Sequence, residues 1–260
     1  MSLTNIAGLR ERKGWRRMAE AVSQLKSPQQ RVATCDWPQL AAQLDEQGYA
    51  LTQPLLSPAE CNELIGLYAD SKAFRSRVVM ERHNFGRGEY QYFAAPLPPL
   101  AAELRESFYP PLAEIANPWM ERMNQPERFP PTLAEFLAVC HQHQQTRPTP
   151  LLLRYEADGY NCLHQDLYGE VAFPLQAACV LNQRGRDYTG GEFLLNEQRP
   201  RAQTRGEAIT IEQGQFIIFP NRYRPVRGAR GDYRVNMRHG VSRLRSGERY
   251  CLGVIFHDAA

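Results

Sequence analysis

Hydrophobic and polar positions along the chain follow two rhythms, with the change at Pro150. Upstream, apolar residues recur at helical spacing. Residues 8–27 read as a basic amphipathic helix with Trp15, Met18, Ala19 and Val22 on one side. Residues 37–47 read as a second helix, closed by Gly48, and 49–56 as a short strand. Ser57-Pro58-Ala59-Glu60 opens a third helix, because serine caps the first turn, proline suits its first position and Glu60 completes a capping box. Residues 74–95 mix strand and loop and carry His83, Phe85, Arg87, Tyr90, Tyr92 and Phe93. Residues 100–123 are broadly helical, with interruptions expected at Pro110-Pro111 and Pro118, where the chain lacks amide donors. Thr132 and Glu135 form another capping box, opening a helix that carries Leu137 and Cys140.

Downstream the apolar runs shorten and Gly, Asn, Asp and Pro punctuate them. Strands are expected at 151–155, 173–181, 191–196, 208–211, 215–219, 235–241 and 250–256. Short strands at this spacing imply a sandwich or closed barrel. Helices first and strands afterwards make the fold class α+β. Residues 1–145 then form a mainly helical support, residues 146–260 a β-rich core, and the two one compact unit.

Composition narrows the class. At 260 residues with 43% apolar and 23% charged content, the chain can bury a core without staples. No apolar run reaches the roughly 20 residues that span a bilayer, so no membrane partner is expected. The basic N-terminus is not followed by an apolar secretory segment, which predicts a cytoplasmic protein. The six cysteines are scattered with no C-x-x-C pair, as expected of free, mostly buried thiols. Net charge is +3, yet Lys13, Lys26 and Lys72 are the only lysines, so arginine carries almost all the positive charge.

The candidate chemistry lies in His164-Gln165-Asp166 and the distant His239. On a strand, residues i and i+2 point to the same side, so His164 and Asp166 would aim together and Gln165 away. Two imidazoles and a carboxylate from separate strands occupy one face of an octahedron and leave positions open, the donor set of non-haem iron(II) oxygenases. Structural zinc would more often be closed by cysteines. His141 and His143 stand two apart near a helix C-terminus and cannot chelate together. His257, close to the terminus, is expected to be exposed.

The order of further motifs resembles the iron(II)/2-oxoglutarate-dependent dioxygenases, particularly their prolyl-4-hydroxylase-like branch. Those motifs are Arg154-Tyr155, Gly159, His164-Gln165-Asp166, Val180-Leu181-Asn182, Gly190-Gly191-Glu192-Phe193-Leu194-Leu195, Gly214-Gln215-Phe216-Ile217-Ile218-Phe219-Pro220, His239-Gly240-Val241, Gly247 and Arg249. The resemblance covers about residues 150–258. It implies a double-stranded β-helix, or jelly roll, braced by the N-terminal helices. It implies Fe(II) held by His164, Asp166 and His239, with 2-oxoglutarate and O2 as cosubstrates. Arg249 would pair with the far carboxylate of 2-oxoglutarate, and Tyr155 would hydrogen-bond that cosubstrate or serve as a core aromatic. The implied reaction couples decarboxylation of 2-oxoglutarate to hydroxylation of a C–H bond.

Two regions are candidates for reading the substrate. One is 83–93, where His83 and Tyr92 could rim the pocket. The other is 221–238, where Arg222, Arg224, Arg227, Arg230, Arg234 and Arg238 alternate with Tyr223 and Tyr233. Arginines with interleaved aromatics suit a phosphate backbone and stacked bases, although a solvated arginine-rich loop would look the same. The chain is similar to a bacterial family of oxygenases expected to act on damaged nucleic acid. In AlkB-type DNA dealkylases the cosubstrate arginine lies farther from the distal histidine than the ten positions between His239 and Arg249. That spacing keeps a hydroxylase of a protein side chain or small molecule open. A non-catalytic jelly-roll binding protein with a vestigial metal site is the alternative outside enzymes.

Overall fold

The computed structural model describes residues 27–166 and 169–260. The expected helix at 8–27 lies outside them apart from Ser27, which caps α1 (Pro28–Ala33) through its hydroxyl. Next come α2 (Trp37–Gln47), strand β1 (Ala50–Pro54) and α3 (Pro58–Leu67). Strands β2 (Phe74–Val79), β3 (Gly86–Arg87) and β4 (Glu89–Phe93) precede α4 (Pro99–Arg122) and α5 (Leu133–Gln142). The rest is all strand: β5 (Leu151–Tyr155), β6 (Tyr160–His164), β7 (Leu175–Val180), β8 (Tyr188–Gly190), β9 (Phe193–Gln198) and β10 (Arg205–Ile209). It ends with β11 (Gln215–Pro220), β12 (Tyr223–Gly228), β13 (Gly231–Val241), β14 (Leu244–Gly247) and β15 (Arg249–Val254). Both capping boxes form, at Ser57 with Glu60 and at Thr132 with Glu135. Gly48 ends α2 with φ 85°, a left-handed conformation open to glycine.

Two antiparallel sheets face each other as a jelly roll. The first has the order β1-β11-β7-β15-β5-β4-β2, and the second β10-β9-β13-β6-β3 with β12 beside β13. Strands from the first 145 residues therefore complete the first sheet, and β3 extends the second. Burial explains the texture of the sequence. Phe216 and Ile218 of β11 pack with the helices, among Phe108, Leu112 and Cys179. Ile217 and Phe219 turn the other way, into the layer between the sheets with Val180, Leu195, Val235 and Met237. A strand buried on both faces reads as a continuous apolar run, whereas β13 alternates buried and exposed residues.

The structure corrects two expectations. Helix α4 runs unbroken through Pro110, Pro111 and Pro118. Its buried stripe of Leu104, Phe108, Leu112, Ala116 and Trp119 anchors both halves to the first sheet, and this packing outweighs the missing backbone donors. Residues 221–238, for which a solvated loop stood as one reading, form chiefly the β12–β13 hairpin, with Tyr223 opposite Asn236 and Arg227 opposite Asp232, and the strand expected at 235–241 is the second half of β13. Among the described residues no helix is long and apolar enough to cross a membrane. All six cysteines are free thiols, and Cys162 alone is exposed.

Candidate active site

Strand pairing brings the distant histidine to the triplet. His239 of β13 lies directly opposite His164, the last residue of β6. Asp166 follows two positions beyond the strand end and still turns to the same side. The His164 Nε2 and Asp166 Oδ1 atoms are 3.5 Å apart, and His239 Nε2 and Asp166 Oδ2 are 3.2 Å apart. One ligand atom from each residue lies within 4.8 Å of the others. Adjacent donors around one ion, each bonded at about 2.0–2.2 Å, stand at such separations.

The protonation shifts at Asp166 and His239 suit a cation. The Cys162 carbonyl can only accept, so His164 Nδ1, 2.8 Å away, donates to it, and the neutral ring keeps its Nε2 lone pair. Burial opposes ionisation of Asp166, but the two imidazoles hold its carboxyl well below the usual value. Burial, and then the neighbouring imidazole, lower His239 and favour its neutral ring. Burial also works against a charged His164, yet contact with Asp166 shifts it upward. An ionised carboxylate between imidazoles is a donor set short of one positive charge. The residues present fit Fe(II).

Gln176 steadies this group. Its amide donates to Asp166 Oδ2 at 2.7 Å. It is a polar residue near the start of an otherwise apolar strand, Leu-Gln-Ala-Ala-Cys-Val, and that anomaly was the signal available in the sequence. The rings of Phe219 and Phe193 pack on His239 at 4.6 and 5.9 Å between centroids.

All three candidate ligands line a cavity of ≈ 380 Å³ that also contains Arg249, Tyr155, Tyr90 and Tyr92. Such a volume suits a small molecule together with part of a larger one. Cys251 pairs with Val180 and Val254 with Ala177, so Arg249 and Gln176 sit toward opposite ends of the β7–β15 pair. Arg249 lies opposite Tyr155 and is 1% exposed. Its Nε and Nη1 make no hydrogen bond, and the Tyr155 hydroxyl is likewise buried without a well-formed one. No carboxylate pairs with Arg249 among the described residues. Gly191, at φ 65°, passes so close that a Cβ there would stand 3.1 Å from Arg249 Cδ and 2.7 Å from Leu244.

The expected rim divides. Tyr92 lines the cavity. His83 is exposed outside it and stacks on Phe85, which does line it, at 5.3 Å between ring centroids. Arg224 does not belong to the rim. It is 1% exposed, donates to both Glu197 Oε2 and the Asp45 carbonyl, and cross-links β12, β9 and the end of α2. Arg227 is exposed, faces Asp232 at 3.7 Å and does not line the cavity. His257 is fully buried rather than exposed, because Arg105 of α4 holds the carbonyls of Ile255 and Phe256 and the Asp258 carboxylate, drawing the C-terminal tail inward. His141 contacts Asp258 and His143 faces Glu170, so they do not meet.

Comparison with known proteins agrees with this geometry. A family model described as an oxygenase catalysing oxidative methylation of damaged DNA matches residues 88–259. Uncharacterized proteins from two strains of Mycobacterium tuberculosis are 49% identical over 168 residues, covering 65% of this chain and 72% of theirs. An oxidoreductase of the 2OG-Fe(II) oxygenase family from Burkholderia pseudomallei is 17% identical and superposes with a TM-score of 0.51, covering 86% of this chain and 93% of its own. The non-heme alpha ketoglutarate dependent epimerase SnoN of nogalamycin biosynthesis is 16% identical with a TM-score of 0.50, covering 85% and 82%. At these identities the two solved structures share the fold with this chain.

Proposed function

The chain belongs to this oxygenase family, whose chemistry implies Fe(II), 2-oxoglutarate and O2, and from that premise we propose that it hydroxylates a C–H bond of an alkylated base in nucleic acid. The observation that carries the reading is a single cavity with a two-histidine, one-carboxylate cluster toward one end and a buried guanidinium lacking a carboxylate toward the other. The balance is 2-oxoglutarate, O2 and R–H giving succinate, CO2 and R–OH. When bound, Fe(II) and 2-oxoglutarate supply the activation of O2.

The chain's own residues hold, orient and exclude. His164, Asp166 and His239 would hold the metal, with Gln176 fixing the carboxylate. Arg249 would take the far carboxylate of 2-oxoglutarate through its fork, which fixes direction as well as affinity. Tyr155, stacked 5.8 Å from the Arg249 guanidinium, has a hydroxyl available to the same group. Leu151, Leu153 and Ile255 keep the walls apolar and exclude water. Phe85 and Leu163, 43% and 42% exposed, line the cavity where it reaches solvent and offer apolar contact to a planar base.

The test is turnover with Fe(II) and 2-oxoglutarate on alkylated oligonucleotides, peptides and free amino acids, read as succinate formed and as mass change of the substrate. Oligonucleotides are expected to gain an oxygen atom or lose their alkyl group, and Asp166→Ala to lower turnover by more than about 10²-fold, since even residues behind a metal ligand matter by 10–100-fold. Succinate formed by Asp166→Ala at the wild-type rate would remove the site. Oxygen gained by peptides and by no oligonucleotide would remove the substrate class.

A further inference from the structure

We propose that the outer face of the β12–β13 hairpin binds the sugar–phosphate backbone of a single nucleic-acid strand whose target base enters the cavity. The inference rests on the nucleic-acid reading above and adds a binding surface to it.

The structure sorts the six arginines of 221–238 into two kinds. Arg224 pairs with Glu197 and Arg227 with Asp232. Those carboxylates are shared further, Glu197 with Arg199 and Asp232 with Arg122. Arg222, Arg230, Arg234 and Arg238 have no carboxylate partner among the described residues. Positive charge is therefore left unneutralised on this hairpin.

The free arginines are ordered. On β13, Arg234, Asn236 and Arg238 are exposed and alternate with buried Val235, Met237 and His239, so they share the outer face. Tyr223, directly opposite Asn236, lies on that face too. The guanidinium carbons of Arg222 and Arg234 stand 4.4 and 4.2 Å from the centre of the Tyr223 ring. Stacking on an aromatic plane holds the stems while no carboxylate among the described residues takes the guanidinium groups, and such groups suit phosphate oxygens. The arrangement is a row of cations rather than a scatter of solvated ones.

The row adjoins the cavity. Gln165, between His164 and Asp166, lines the cavity, and its amide donates to the carbonyls of Arg222 at 3.2 Å and Met237 at 2.8 Å. Arg238 immediately precedes His239. The exposed Phe85 and Leu163 line the same cavity. A strand laid with phosphates on the arginines would have its bases beside aromatic and apolar faces, the pairing that holds single strands. A single strand also presents its base without the few kcal/mol needed to unstack it from a duplex.

The experiment measures binding of labelled oligothymidylate by fluorescence anisotropy across a salt series, without turnover. Each phosphate contact on a single strand contributes about 0.7 to the slope of log K against log salt. R234Q/R238Q is expected to reduce the slope by about 1.4, and each single variant by about half of that. R184Q/R186Q, which removes the same charge from arginines paired with Glu192 and Asp187, is expected to bind as wild type. Thermal midpoints confirm that the variants fold, and if the double variant does not, the single ones carry the test. Wild-type affinity and slope in R234Q/R238Q would overturn the surface and leave the nucleic-acid reading standing. Absence of single-strand binding by the wild type would instead remove that reading and the surface with it. A duplex binding more tightly than the single strand, or a polyglutamate peptide competing at equal affinity through the same arginines, would also overturn the proposal.

Discussion

Arg224 and Arg249 are both 1% exposed, and the second sheet and the cavity treat them in opposite ways. In the second sheet, Arg224 meets Glu197 and a backbone carbonyl, so its charge is answered inside the fold. In the cavity, Arg249 has two nitrogens without any partner. A third solution occurs at the C-terminal tail, where His257 is buried beside Arg105 and stays neutral. Burial, and then the Arg105 guanidinium, push its pKa down from 6.5 to about 4. A buried charge must be paired or neutralised, and guanidinium cannot be neutralised by losing a proton. Arg249 is thus set to receive an anion, whereas Arg224 is a structural cross-link.

Substitutions can break or sharpen this contrast. The largest effect is expected from Arg224→Met, which leaves Glu197 buried with Arg199 alone and should cost about 3–5 kcal/mol in denaturant unfolding. His257 comes next. Its folded pKa is depressed, so its contribution is complete above pH 6.5 and is lost as pH falls toward 4. Wild type should lose about 3 kcal/mol across that window relative to His257→Gln, read from unfolding curves at several pH values. Arg249→Met should do the reverse of Arg224→Met. The thermal midpoint of the protein without cosubstrate should hold or rise, while KM for 2-oxoglutarate rises about 10²-fold, as expected from losing charge-assisted hydrogen bonds of about 1.5–3 kcal/mol each. Loss of stability in Arg249→Met with unchanged use of 2-oxoglutarate would erase the contrast. The smallest effect is expected from Gln176→Leu, which frees Asp166 and should weaken metal binding about 10-fold, the low end for residues behind a ligand, as read by Co(II) titration.

Much of the site was legible in one dimension because the ligand pattern is local. His164 and Asp166 stand two apart, and the capping residues of α3 and α5 act within one turn of their own helices. The apolar runs at 215–219 and 250–256 mark strands because they are buried on both faces. Less legible were the features set by distant partners. Pro110, Pro111 and Pro118 look like breaks until α4 is seen packed along its length. Residues 221–234 look like an exposed basic loop until β12 pairs with β13. Gln176 carried a signal, a lone amide in an apolar strand, but its partner Asp166 comes from beyond the end of another strand, β6.

Residue types and spacing determined the fold class and the candidate donor set. A donor set depends on chemistry that each side chain carries with it. Tertiary structure alone decided which arginine is a cross-link, which waits for a ligand and which are free at the surface. Identical guanidinium groups differ only in burial and in the carboxylates that the folded chain brings within reach, and both depend on contacts between residues far apart in sequence.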